Sequence, residues 1–146
     1  MKSVAQVLRS KPCQTVHTIS PQASVHDAAI LMEEKNIGAL LVTENERIVG
    51  LISERDLARK LVRVERSFRD TRVAEIMTSP VMYLEADRTN EECMALMTDS
   101  RLRHLPVLEQ GRLIGLISIG DLVKDLISEQ QHIIDQLEHY IMGDRG

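Results

Sequence analysis

Short blocks of apolar residues recur along this chain, each bounded by a polar or turn-forming stretch, and their spacing predicts the elements. Val4-Ala5-Gln6-Val7-Leu8 reads as a short helical turn leading to Pro12, and Val16 to Ile19 as a short strand broken by Ser20-Pro21. Ser24 is placed to cap a helix that buries Val25, Ala28, Ala29, Leu31 and Met32 and ends near Gly38. Ala39 to Thr43 and Ile48 to Ile52 are apolar runs flanking the polar turn Glu44-Asn45-Glu46, the pattern of a hairpin of buried strands. A second helix follows Ser53, with Leu57, Leu61 and Val62 expected to face inward.

The same order then returns. Val73-Ala74-Glu75-Ile76-Met77 leads to Pro80, and Val81 to Leu84, Thr89 to Ser100, His104 to Leu108, Leu113 to Ile117 and a helix from Ile119 repeat strand, helix, strand, strand, helix. Laying Val16–Val62 over Val81–Ile127 at a constant offset of 65 requires no gap, and 14 of the 47 pairs are identical. The densest identity is Gly50-Leu51-Ile52-Ser53-x-x-Asp56-Leu57 against Gly115-Leu116-Ile117-Ser118-x-x-Asp121-Leu122. Two units of this size predict a pseudo-symmetric α+β pair, not a long solenoid. The link between them holds no Gly or Pro, which favours packed halves over strung ones. The last helix continues past the repeat with Leu126, Ile133, Leu137 and Tyr140, plus Ile127, Ile134 and Ile141, on helical spacing. That stripe calls for a second surface, either on the same chain or on a partner subunit.

Composition narrows the chemistry. At 146 residues each half alone would be marginal, and 43% apolar with 27% charged residues is the balance of a soluble globular protein. Phe68, Tyr83 and Tyr140 are the only aromatics, so stacking platforms are scarce. A net charge of -4 argues against nucleic acid, although Arg59, Lys60, Arg63, Arg66, Arg69 and Arg72 form a basic stretch that reads either as a solvated face or as a phosphate contact. With neither a membrane-length apolar run nor a signal-peptide pattern, a cytoplasmic location is expected. Cys13 and Cys93 stand singly and read as reduced thiols, and the five histidines are scattered, so no metal site is expected.

Gly-x-x-Ser-x-x-Asp carries the candidate chemistry. The Gly ends a buried strand, and the Ser and Asp stand at a helix N-terminus, where free N–H groups favour an anion and a carboxylate can accept from two neighbouring hydroxyls. A ribose phosphate satisfies both demands. The same spacing also fits a capping box, in which Ser53 bonds forward to Asp56 and Asp56 reaches back. Gly115-x-x-x-x-Gly120 is followed by Asp121, not Lys, and no Gly-x-Gly-x-x-Gly occurs, so neither a phosphate loop nor a dinucleotide fingerprint is present. No catalytic constellation is visible. The repeats differ in charge: Arg103 and His104 stand where the first has Gly38 and Ala39, and Arg55 stands where the second has Gly120. Arg suits bidentate phosphate contacts and His adds a tunable donor.

With these residues the chain resembles a tandem pair of cystathionine β-synthase (CBS) domains, a Bateman module, over nearly all of Val4 to Ile127. The lead-in Val73-Ala74-Glu75-Ile76-Met77-Thr78, Leu105-Pro106-Val107 and the two Gly-x-x-Ser-x-x-Asp elements carry the resemblance. It implies residues 1–72 as a first CBS domain with its lead-in and link, 73–127 as a second, and 128–146 as a C-terminal helical extension. It further implies half-units packed sheet to sheet about a pseudo-twofold axis, with two clefts for adenine nucleotides or adenosyl compounds. Carried over by position, Asp56 and Asp121 would hold ribose hydroxyls with Ser53 and Ser118 beside them. Val16, His17, Ile37 and Gly38 would border one base and Thr78, Val81, Met82, Leu102 and Arg103 the other, with Ala39, Ser79, Pro80, Leu105 and Pro106 also among the nucleotide-binding residues. Arg55, Arg103 and His104 would meet phosphate, with Gly120 beside them. Leu41 departs from the family's common Pro, and the first lead-in, Leu8-Arg9-Ser10-Lys11-Pro12, carries extra residues.

The resulting expectation is a non-catalytic regulatory module that binds AMP foremost, or ADP, ATP, NAD or S-adenosylmethionine, without a catalytic cofactor. A homodimer that passes a shape change to a regulated partner protein is expected. The alternative is a structural dimerisation scaffold with vestigial clefts.

Overall fold

The structure is a computed structural model that describes residues 2–11 and 15–142. Its elements in order are α1 (Val4–Arg9), β1 (Thr18–Ile19), α2 (Val25–Lys35), β2 (Ala39–Glu44), β3 (Arg47–Ser53), α3 (Glu54–Val64), α4 (Val73–Ile76), β4 (Leu84–Glu85), α5 (Asn90–Ser100), β5 (His104–Glu109), β6 (Arg112–Ser118) and α6 (Ile119–Met142). The fold is α+β. Two three-stranded sheets run β1-β2-β3 and β4-β5-β6, each with a parallel first pair and an antiparallel hairpin.

The duplication is exact in register. Ala39 faces Ser53 as His104 faces Ser118, Val42 faces Gly50 as Val107 faces Gly115, and both hairpins shift register at the next residue. Ser24 and Thr89 each cap the following helix through the N–H three residues on, at 3.0 and 3.1 Å. Asn36 and Arg101 close those helices in the left-handed region. The expected hairpin turns also fall in place: Asn45 and Glu46, and Gln110 and Gly111, take positive φ.

The chain divides into two units whose boundaries cross those of the sequence repeats: residues 1–14 belong with 84–146, and residues 15–83 form the other unit. Each lead-in packs on the opposite repeat. In the first unit Val4, Val7 and Leu8 of α1 join Leu84, Cys93, Met97, Leu105, Val107, Ile117 and Leu122 in one core. In the second, Val73 and Ile76 of α4 join Val25, Ala28, Met32, Leu40, Val42, Ile52 and Leu61. Backbone bonds fix both attachments: Asn90 N–H donates to Lys2 C=O at 3.0 Å, and Val25 N–H donates to Thr71 C=O at 2.8 Å. A short helix cannot hold its shape alone, so its apolar face decides where it docks.

Two burial expectations need correction. Val62 is 75% exposed, because it lies about 100° around the helix from Leu61, and the buried face runs through Asp56 and Leu61 instead. Leu113 and Ile114 are each 37% exposed on β6, an edge strand paired on one side only. Cys93 is buried; Cys13 lies outside the described residues.

Candidate functional site

Each Ser-Asp element stands where an edge strand turns into a helix. The carbonyl of Gly38 accepts from Glu54 N–H at 3.0 Å, and the carbonyl of Arg103 from Ile119 N–H at 2.8 Å, so the residue before each hairpin caps the next helix. Ser53 hydroxyl accepts from Asp56 N–H at 3.3 Å while Asp56 Oδ2 accepts from Ser53 N–H at 2.9 Å. Ser118 and Asp121 repeat the pair at 3.1 and 2.9 Å. The capping box is therefore formed in both copies, and it holds each carboxylate at a helix N-terminus.

Beyond that box the copies diverge. Asp56 is buried, and its other oxygen, Oδ1, accepts from Thr78 hydroxyl at 3.1 Å and pairs with Lys60 Nζ at 3.0 Å. Ser53 hydroxyl adds a contact to Oδ2 at 3.1 Å, and Lys60 Nζ also donates to Thr78 Oγ1 at 3.2 Å. Thr78 is itself fixed by paired backbone bonds with Leu51, 2.8 and 3.0 Å. In the other unit, Lys11 Nζ takes over both tasks: it donates to Leu116 C=O at 3.1 Å, the match of Leu51, and pairs with Asp121 Oδ2 at 3.0 Å. Asp121 Oδ2 thus carries both the Ser118 N–H and the Lys11 ammonium.

A pocket of about 230 Å³ opens beside Asp121 between α1 and α6. Lys2, Val7, Ser10, Lys11, Lys124 and Asp125 contribute to its walls. Asp125 is held by Lys2 Nζ at 2.8 Å and Asn90 Nδ2 at 2.9 Å, and the Asp125 carboxylate holds the Lys2 ammonium above its ordinary value. The first cause there is the hydrogen bond, the second the charge.

The remaining sequence-predicted residues divide between the units. Val16, His17, Ile37, Gly38, Ala39, Ser53, Arg55, Asp56, Thr78, Ser79, Pro80, Val81 and Met82 lie in the unit of residues 15–83; Leu102, Arg103, His104, Leu105, Pro106, Ser118, Gly120 and Asp121 lie in the other. Thr78, assigned by position to the second base, is bonded to Asp56. Ala39, Leu105 and Pro106 are buried strand residues, whereas Ser79, Pro80, Met82, Arg103 and Gly120 are exposed. Sequence reasoning missed Lys11 and Lys124, and it placed Lys60 in the basic stretch without pairing it to Asp56. Lys60 had a readable signal, four residues after Asp56 on one helix.

Among the described residues no group of His, Cys, Asp and Glu could hold a metal ion, and no helix is long and apolar enough to cross a membrane.

Comparison with known proteins agrees with this fold. A solved CBS-domain protein of Burkholderia ambifaria MC40-6 is 55% identical, with a TM-score of 0.85 over 88% of this chain and 96% of that one. The mitochondrial CBS domain-containing protein CBSX3 of Arabidopsis thaliana is 37% identical over 82% of this chain, which spans 61% of that protein's length. The CBS domain-containing protein YhcV of Bacillus subtilis is 32% identical over 79% of this chain and 81% of its own. These relatives are named for their CBS domains, not for a reaction. With the CBS domain family model matching residues 4–63 and 73–128, the chain belongs to the CBS domain family as a tandem pair.

Proposed function

We propose that this chain is a non-catalytic regulatory module of the cytoplasm that binds an adenine nucleotide or adenosyl compound, AMP foremost, and signals by a change of shape. Tandem CBS domains are regulatory, ligand-binding modules, and the observation that carries the reading here is the duplicated Ser-Asp box. Each box presents an acceptor-only carboxylate at a helix N-terminus, with a cation within 3.0 Å in both copies. That combination suits a ligand with vicinal hydroxyls and a negative charge. Arg55, Arg103 and His104 remain phosphate candidates of this reading. Sensing requires the ligand to favour one of two conformations, and cations that can exchange a carboxylate for a phosphate supply such a difference.

The chain acts in this reading as a homodimer that contacts a regulated protein. Along α6, Ile133, Leu137 and Tyr140 are 50%, 56% and 74% exposed, an apolar face that a second copy would cover. The same face favours the second reading, a dimerisation scaffold without a ligand.

A thermal-shift series with AMP, ADP, ATP, NAD and S-adenosylmethionine separates the two. A ligand at a hundred times its dissociation constant adds about 2.7 kcal/mol, a rise of several degrees for a chain of this length. No rise with any of them at millimolar concentration rejects the nucleotide reading and leaves the scaffold.

A further inference from the structure

Apolar surface is left uncovered in two places. Among the described residues, the four most exposed large apolar side chains are Val62 on α3 and Tyr140, Ile141 and Ile127 on α6. On α3, Ala58 and Val62 lie one turn apart and each is followed by an arginine, Arg59 and Arg63, with all four residues exposed. Three neighbouring cations are engaged: Lys60 with Asp56, Arg66 with Glu75 and Arg72 with Gln22. Arg59 and Arg63 make no ion pair with the described residues. On α6, every residue from Gln130 to Ile141 is exposed. Ile127, Ile133, Ile134, Leu137, Tyr140 and Ile141 fall there within an arc of about 140°, bordered by Glu129 on one side and Glu138 on the other. No Lys or Arg occurs between Ser128 and Met142. One uncovered face is therefore apolar and basic, the other apolar and acidic.

Like faces do not suit each other. Pairing α3 with its own copy sets Arg59 and Arg63 against themselves, and pairing α6 with its own copy gathers Glu129 and Glu138 of both chains along one seam without a Lys or Arg to balance them. The crossed pairing removes both conflicts. Resting on the homodimer reading above, we infer that the α6 tail of one copy docks on α3 of a second copy, its apolar arc over Ala58 and Val62 and its acids beside Arg59 and Arg63. Twofold symmetry makes this contact twice. Burial of Val62 and of the α6 arc supplies the affinity, and the charges decide which helix is met, since an exposed ion pair contributes little by itself. A nucleic acid on the same arginines gains nothing from Ala58 and Val62, and it meets a chain whose net charge is -4.

Sedimentation equilibrium of the full-length chain over a concentration series tests this with three variants: Arg59→Glu with Arg63→Glu, Glu129→Lys with Glu138→Lys, and the four changes combined. Each pair alone is expected to weaken the dimer by about tenfold or more, and the combined variant to recover to within about threefold of the wild type. An equimolar mixture of the two double variants forms a mixed dimer, because each of its contacts again joins opposite charges. Glu129 also acts on Lys2, so Glu138→Lys alone, which weakens the dimer to a lesser degree, keeps the test if Glu129→Lys fails to fold. A wild-type monomer at high concentration overturns the homodimer reading and this inference together. A wild-type dimer that Arg59→Glu with Arg63→Glu leaves intact overturns the inference alone; if that variant instead loses salt-sensitive binding of a single-stranded RNA oligonucleotide, the arginines serve nucleic acid. Failure of both the combined variant and the mixture to recover overturns the crossed pairing.

Discussion

Gly50 lacks a side chain where Met77 needs the room. A Cβ built on Gly50 would come within 2.5 Å of Met77 Sδ and 3.2 Å of Thr78 C=O, so the strand that ends in Ser53 packs directly against the segment that follows α4. Gly115 stands in the same relation to Leu8, whose methyls lie 3.0 Å from that position. Neither glycine has the positive φ that would otherwise explain it. Gly50→Ala is expected to cost about 1 to 3 kcal/mol through overpacking. Gly120, in the first turn of α6 with only Ser118 Oγ at 3.6 Å, should be neutral or gain about 0.5 to 1 kcal/mol as Ala. Urea unfolding of both variants checks this; equal losses would show that close approach is not what selects glycine in the strand.

The engagement of Asp56 has a stability consequence of its own. Asp56→Ala strands a backbone N–H, a threonine hydroxyl and a lysine, and should destabilise the protein by about 2 to 4 kcal/mol; Lys60 is partly exposed, which keeps this below the loss of a fully buried pair. Asp121→Ala, with fewer partners and more exposure, should cost roughly half as much. Chemical denaturation that ranks Asp121→Ala as the more damaging would contradict the greater weight given to the contacts of Asp56.

These contrasts show what the sequence could and could not reveal. The repeat, the hairpins and the Ser24, Ser53 and Thr89 caps were legible because local spacing dictates them. Identity at Gly50 and Gly115 hid a difference in what lies against them, Met77 with Thr78 in one copy and Leu8 in the other. Which lead-in packs on which repeat depends on contacts between residues far apart in sequence, such as Val4 with Arg88, and no periodicity reports those. Asp125 likewise stands where the first repeat has Lys60, yet only the fold shows that it turns to Lys2 and Asn90.

Burial pushes the Cys93 thiol up from 9.0 to about 11. The native protein should therefore resist alkylation at this residue at pH 8, whereas the denatured chain reacts. Because the folded value lies above the unfolded one, the stability that goes with it is whole below pH 9 and declines as pH rises toward 11. Peptide mapping after iodoacetamide treatment gives the answer, and rapid native labelling of Cys93 would contradict its place in the core with Met97 and Val107.

The exposed stripe on α6 leads to an assembly prediction. Covering Ile133, Leu137 and Tyr140 should contribute roughly 1.5 to 3 kcal/mol each when fully buried, so a Leu137→Asp, Tyr140→Asp variant should dissociate a dimer that the wild type forms. Light scattering reads the mass directly. A wild-type monomer at high concentration disposes of the dimer, and a variant that remains dimeric moves the interface elsewhere.

Equilibrium binding of AMP to the purified chain is the most direct test of the central claim, that the duplicated Ser-Asp box serves nucleotide recognition. The account predicts saturable binding that Ser118→Ala with Asp121→Ala reduces by at least about tenfold in a variant that still unfolds cooperatively. Undiminished binding in that folded variant would contradict it.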